Sequence, residues 1–280
     1  MTKKQKLTKT GECALCKTDN IELRESHIIP KFVYRRMQEF PNSRFRNLYQ
    51  IKDIYQDGEK KPMLCNGCEQ FFNKFETPYA NRILDPYLKG EDLKELSDDI
   101  MNNFINSMSW RIIYDDLYNN ESFIGTSHRN IFVCIENSLW KHLNEVRIGA
   151  TSRGNIEHFK NHIFKIDDFN YKLPVKELFS HTTFGYCYSN EYGNYFIIIY
   201  FLHLVFVTEF RPIFIGTDGL IKNIISHQKR MNVKARVKEE LLKYAHDVAK
   251  QFNDNEMILE EGLRDAISKR YNKRSDKLKG

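Results

Sequence analysis

A chain of 280 residues, 41% hydrophobic and 29% charged, is long enough to bury a sizeable core and falls outside the compositions of disordered or collagen-like proteins. Its net charge of +6, from 43 Lys and Arg against 37 acids, permits a polyanionic partner without requiring one. The longest apolar run, Tyr195 to Val207, is interrupted by His203 and falls short of the ~20 residues of a spanning helix, so no membrane partner is expected.

The first ten residues are polar and basic and read as a disordered tail. They lack the apolar stretch of a secretory leader, so a cytoplasmic location is expected. Six cysteines in such a chain argue against a disulfide framework. Four of them form two Cys-x-x-Cys pairs, Cys13/Cys16 and Cys65/Cys68, which is metal-ligand spacing. Four thiolates close a tetrahedron around zinc and leave no open position, so the expected zinc is structural. The long separation of the pairs suits a treble clef, with one pair on a knuckle and the other at a helix start. There the free N–H groups and the dipole favour thiolates.

Between the pairs, Ile21, Leu23, Glu25 and His27 alternate with Glu22, Arg24 and Ser26, which predicts a strand with Glu25 and His27 on one face. Pro30 stops it. A short helix is expected from Lys31 to Phe40, broken by Pro41-Asn42-Ser43. Asp57-Gly58 reads as a hairpin turn between Ile54-Tyr55 and Met63-Leu64. A helix then begins at the second cysteine pair and runs through Phe71, Phe72 and Phe75.

From residue 91 to 118 the period becomes 3.6, with Leu93, Leu96, Ile100, Phe104, Met108 and Ile112 on one stripe. A second helix is expected from about Asn130 to Val146, with Cys134 among its core residues, and a linker from Gly149 to Gly154. Residues 184–188 and 195–200 form a hairpin, Leu204 to Phe210 adds a strand, and Cys187 and Tyr186, Tyr188 and Tyr195 pack in this sheet. Helices near Ala235–Phe252 and Glu256–Tyr271 close the chain. His158 and His162 are expected on one exposed helix face, His203 and Trp110 in the core, and Arg111 against a carboxylate or the zinc unit. The fold class is therefore α+β. It divides into a basic tail (1–10), a zinc unit (11–85), a helical region (86–150), a mixed strand and helix region (151–272) and a second basic tail (273–280).

Arg35, Arg36, Arg44 and Arg46 follow the histidine with Phe45, Tyr49 and Lys52 among them, and Lys60 and Lys61 flank the Asp57-Gly58 turn. Basic residues interleaved with aromatics suit phosphate clamping and base stacking; a solvated surface is the other reading.

Ser26-His27-Ile28-Ile29-Pro30-Lys31-Phe32 after Cys13-x-x-Cys16, then Asp57-Gly58, Leu64-Cys65-Asn66-Gly67-Cys68-Glu69 and Ser107-Met108-Ser109-Trp110-Arg111, resembles the zinc-containing HNH (His-Me finger) endonucleases over residues 11–115. The resemblance implies a ββα-metal site that cleaves phosphodiesters of nucleic acid, with DNA favoured over RNA as substrate and antiphage defence as an extension of that reading. His27 matches the general base, and an imidazole can accept a proton near neutral pH. Glu69 matches a catalytic-metal position for Mg2+ or Mn2+, Asn73 lies one turn further on, and Glu25 is the remaining nearby carboxylate. Ser26 stands where most members carry Asp or His. Two alternatives to catalysis by His27 stay open: a histidine packed under the knuckle, and a non-catalytic zinc-dependent module binding nucleic acid or protein. A protein partner or homo-oligomer is compatible with each.

Overall fold

The computed structural model describes residues 9–40, 46–47, 57–119, 128–150, 159–172, 178–179, 183–191, 194–210 and 232–254, with side chains omitted at 46–47, 191 and 248–254. Within it the chain is α+β, with a cysteine cluster near its N-terminus. Strands β1 (Lys9–Gly11), β2 (Ile21–His27) and β4 (Lys60–Cys65) form a three-stranded antiparallel sheet in the order β1-β2-β4. Helix α1 (Lys31–Gln38) follows β2, with Pro30 at its cap. Helix α2 (Asn66–Tyr79) begins directly at Cys65, as the second cysteine pair predicted. A π-helical turn (Ala80–Leu84) and α3 (Asp85–Lys89) extend it.

A larger sheet lies beyond. Strands β6 (Thr183–Glu191), β7 (Asn194–Phe201) and β8 (Leu204–Phe210) form an antiparallel meander, with β5 (Phe159–Lys165) on the far side of β8. The two-residue strand β3 (Arg46–Asn47) joins the edge parallel to β6, so the backbone of the N-terminal unit contributes to the second sheet. All residues of β7 and β8 are buried, because both faces are covered. One face, with Ile197, Ile199 and Phe206, joins a core that includes Val33, Phe72, Trp110 and Leu139. The other, with Ile198, Val205 and Val207, packs under helix α6 (Val233–Asp254) through Val237, Leu241 and Tyr244.

Helices α4 (Asp98–Tyr118) and α5 (Arg129–Arg147) each touch both the cysteine unit and the larger sheet. In α4 every residue from Asn103 to Leu117 except Tyr114 is buried, the mark of a helix packed on all sides. The cysteine unit, α4, α5 and one sheet face form one continuous apolar cluster.

Several expectations change. The α4 stripe does not begin at Leu93, which is exposed; Ser97 starts the helix by accepting a hydrogen bond from Ile100 N at 3.4 Å. Cys134 lies on the exposed side of α5, whose inward stripe is Phe132, Ile135, Leu139 and Leu143. His162 sits on a strand, not a helix, and packs flat against Phe164. His203 is not a core strand residue: Leu202 (φ 51°) and His203 (φ 63°) make the two-residue turn joining β7 to β8. His158, Ile54-Tyr55, Tyr49, Lys52, both basic tails apart from Lys9 and Thr10, and the Glu256–Tyr271 helix lie outside the described residues.

In β2 the register against β4 slips between Arg24 and Glu25. The extra residue of this bulge is Met63 of β4, which stands between the partners Pro62 and Leu64. Ser26 is fully buried, and Glu25 is exposed instead of lining the expected face.

Candidate metal and histidine site

The first cysteine pair sits in a tight turn closed by Lys17 N to Cys13 O (2.9 Å) and Cys13 N to Thr18 O (3.0 Å), with Lys17 in the left-handed region (φ 56°). Ala14 N donates to Met63 O (3.0 Å), and Cys65 N to Cys13 Sγ (3.3 Å). These bonds fix the turn against β4 and the start of α2. The four sulfurs of Cys13, Cys16, Cys65 and Cys68 lie within 4.8 Å of one another, and three of these residues are buried. The donor set and spacing suit one metal ion such as zinc.

Electrostatics point the same way. The Cys68 thiol, helped by backbone N–H groups, outweighs burial and pulls Cys13 down to about 4. Cys68 is pushed far up, first by its bond to Cys13 and then by burial; burial pushes Cys65 up too. Burial opposes ionisation of sulfurs packed this closely, and a full set of four thiolates calls for a cation at their centre.

The adjacent pair Ser26 and His27 splits to opposite sides of β2. Ser26 Oγ donates to Glu69 Oε1 in the first turn of α2 and accepts from Leu64 N (3.2 Å). His27 turns the other way. Its ring retains 12% of its side-chain exposure, and Nε2 lies 2.9 Å from Asp57 Oδ1. Tyr34 lies beside the ring, centroids 6.1 Å apart. Asp57 also pairs with Lys60 and accepts from Gly58 N (3.0 Å). Burial would raise the Asp57 carboxyl, but the hydrogen bonds and charges of Lys60 and His27 hold it well below the usual carboxylate range. An ionised carboxylate only accepts, so His27 Nε2 carries the proton toward Asp57 and Nδ1 is the bare nitrogen of the neutral ring.

The backbone at His27 is held from outside the unit. Arg111, 2% exposed on α4, donates from Nη1 to His27 O (2.9 Å), from Nη2 to Glu76 Oε1 (2.7 Å) and from Nε to Ser107 O (3.2 Å), and lies over Phe72. Both expectations for Arg111 therefore hold together: it pairs with a carboxylate and leans on the cysteine unit. Trp140 on α5 likewise donates to Leu15 O in the cysteine turn (2.8 Å).

The sequence-predicted residues fall into three groups. The four cysteines converge. Glu69 meets Ser26, not His27. Asn73 lines a groove of about 300 Å³ between α1 and α2, with Lys31, Arg35, Arg36, Glu76 and Asn81, and His27 is outside that lining. Arg35 is exposed there, while Arg36 is held by Asp85 (2.6 and 2.8 Å) and Glu39 (3.1 Å). Lys60 pairs with Asp57, and Lys61 with Glu59 at 3.1 Å. Glu25 makes no hydrogen bond or ion pair with His27 among the described residues. Arg44 and the side chain of Arg46 lie outside them.

Asp57 is the partner that sequence reasoning missed. Its Asp-Gly signal was legible as a turn, but not the return of that turn to the His27 ring. A second unforeseen cluster joins β6 to α4, where Tyr186 and Tyr188 donate to buried Asp116 at 2.8 and 2.6 Å. Those tyrosines do more than pack the sheet.

No protein-family model, curated protein or solved structure matches this chain. Function therefore rests on the chemistry of the site itself.

Proposed function

We propose that this protein is a metal-dependent endonuclease of the HNH type, in which His27 is the general base and a zinc ion on Cys13, Cys16, Cys65 and Cys68 holds the site. The observation that carries the reading is the His27–Asp57 pair, with Nε2 at 2.9 Å from a carboxylate and the ring still in reach of solvent. An ionised partner on one nitrogen orients an imidazole and raises the basicity of the other. Nδ1 then takes the proton from water as it attacks phosphorus, and Asp57 stabilises the imidazolium that forms.

A hard cation supplies charge neutralisation at the phosphate. Mg2+ is commonly held by one or two carboxylates together with substrate oxygens and water. Glu69, with Oε1 committed to Ser26, lies across β2 from the His27 ring, so substrate oxygens and water on the His27 side complete the shell of the Mg2+ or Mn2+ that acts with it. Lys31 and Arg35 along the α1–α2 groove supply cations for a nucleic-acid backbone, for which DNA is the favoured substrate. Lys60 and Lys61 neutralise acids of their own and belong to the support of Asp57 and the β4 edge more than to a backbone clamp. Antiphage defence and a cytoplasmic setting are extensions of this reading.

One observation favours a non-catalytic module binding nucleic acid or protein: Ser26 is fully buried and spends its hydroxyl on Glu69, the carboxylate that the resemblance offers for the cation.

The two readings part in a plasmid-cleavage assay on the zinc-loaded chain with Mg2+, with Mn2+ and with EDTA. The nuclease reading expects cutting in Mg2+ or Mn2+, none in EDTA, and a loss of about 10²–10⁴-fold in H27A with the fold intact. Binding without cutting in every metal would establish the module instead.

A further inference from the structure

We infer that Arg111 is a positioning residue for His27, so that a helix outside the cysteine unit completes the catalytic strand. The inference rests on His27 being the base and adds what sets its position. The His27 carbonyl lies in the last residue of β2, where strand pairing ends: His27 pairs with Lys60, and Ile28 N goes to Glu59 O. Beyond that point its backbone oxygen finds its donor in Arg111 Nη1, 84 residues along the chain, at 2.9 Å.

The guanidinium cannot drift. Ser107 O and Glu76 Oε1 hold its other nitrogens, and the Phe72 ring lies under it at 5.2 Å. The Glu76 side chain is 13% exposed and that of Arg111 is 3% exposed, so the ion pair is sheltered from water. Three acceptors in three directions match the planar fork of arginine and exceed what an ammonium holds in that geometry. Glu76 also lines the α1–α2 groove, so the groove wall and the histidine backbone share one cation.

A shift of the His27 backbone moves the ring relative to Asp57 and to the bound phosphate, and misplacement of a reacting group by about 1 Å can cost about 10²-fold in rate. A purely structural arginine would instead change activity only through the folded fraction.

The test compares R111K with L241A in the full, zinc-loaded chain. Leu241 is buried under the far sheet face and serves as a control for lost stability. Plasmid cleavage is measured below both melting temperatures, alongside the 15N resonances of the His27 ring. We expect R111K to lower kcat about 10- to 100-fold with KM unchanged and to shift the His27 resonances, while L241A does neither. E76Q, which keeps shape and removes the ion pair, gives a smaller change in the same direction and serves if R111K does not fold. Equal activity in R111K and L241A, with unmoved His27 resonances, overturns the inference while leaving His27 as base. If the wild-type chain does not cut, the nuclease reading fails by itself, and the ring resonances alone decide: a shift in R111K upholds positioning, and none overturns it.

Discussion

His27 and Ser26 are neighbours in sequence with opposite fates. One turns toward Asp57 and partial exposure; the other is buried against Glu69. The division follows from the strand, whose successive side chains point to opposite faces. Asp57 is the residue whose change isolates the imidazole's orientation. D57N keeps a hydrogen-bonding group near Nε2 but removes the negative charge that stabilises the imidazolium and fixes the tautomer. It should lower kcat by about tenfold or more with little change in KM, measured on the same plasmid substrate. A D57N enzyme with wild-type kcat would detach Asp57 from the chemistry.

At the scale of elements, the loop before β4 is shaped by a close approach. A Cβ on Gly58 would fall 1.9 Å from the Tyr34 ring, which is only 2% exposed and packs edge-on against Phe184 at 5.2 Å. Neither ring nor loop can yield cheaply. G58A should therefore destabilise the chain by about 1–3 kcal/mol and displace Asp57 from His27. Urea unfolding checks the first effect and cleavage the second; wild-type values for both would show that the loop has room to give. The same loop shows what the sequence could and could not reveal. Cysteine spacing placed the metal cluster and the start of α2, because ligand geometry and helix dipole act locally. Apolar periodicity placed α5 to within a residue and the β6–β8 meander to within three. The bulge at Met63 in β4, the meeting of Asp57 with His27 and the Leu202-His203 turn were not legible, since each depends on register or on contacts distant in sequence. Leu93 misled because an apolar residue in phase with a helix says nothing of whether the helix has started; Ser97, with Asp98 and Asp99 after it, was the better signal.

For the whole molecule, the continuous core makes the cysteine unit and the rest of the chain interdependent. Trp140 grips the cysteine turn, Arg111 grips β2, and Phe72 and Trp110 pack together across the boundary at 5.9 Å. Metal binding is then coupled to the stability of α4 and α5 as well as to that of the small sheet. The zinc-loaded protein should carry one zinc per chain. Stripping it with a chelator should lower Tm and expose amides of α4 as well as of β2 to hydrogen exchange. Loss of protection confined to residues before Asn81 would mean that the two parts fold separately. Acid should release the metal as well, because protonation removes the thiolates that bind it.

The account turns on a second cation, distinct from the zinc. Anomalous diffraction from crystals of the zinc-loaded chain soaked in Mn2+, recorded above and below the manganese edge, locates both ions. A zinc peak is expected among the sulfurs of Cys13, Cys16, Cys65 and Cys68, with a separate manganese peak on the His27 side of β2. Manganese found nowhere near His27 would contradict the account.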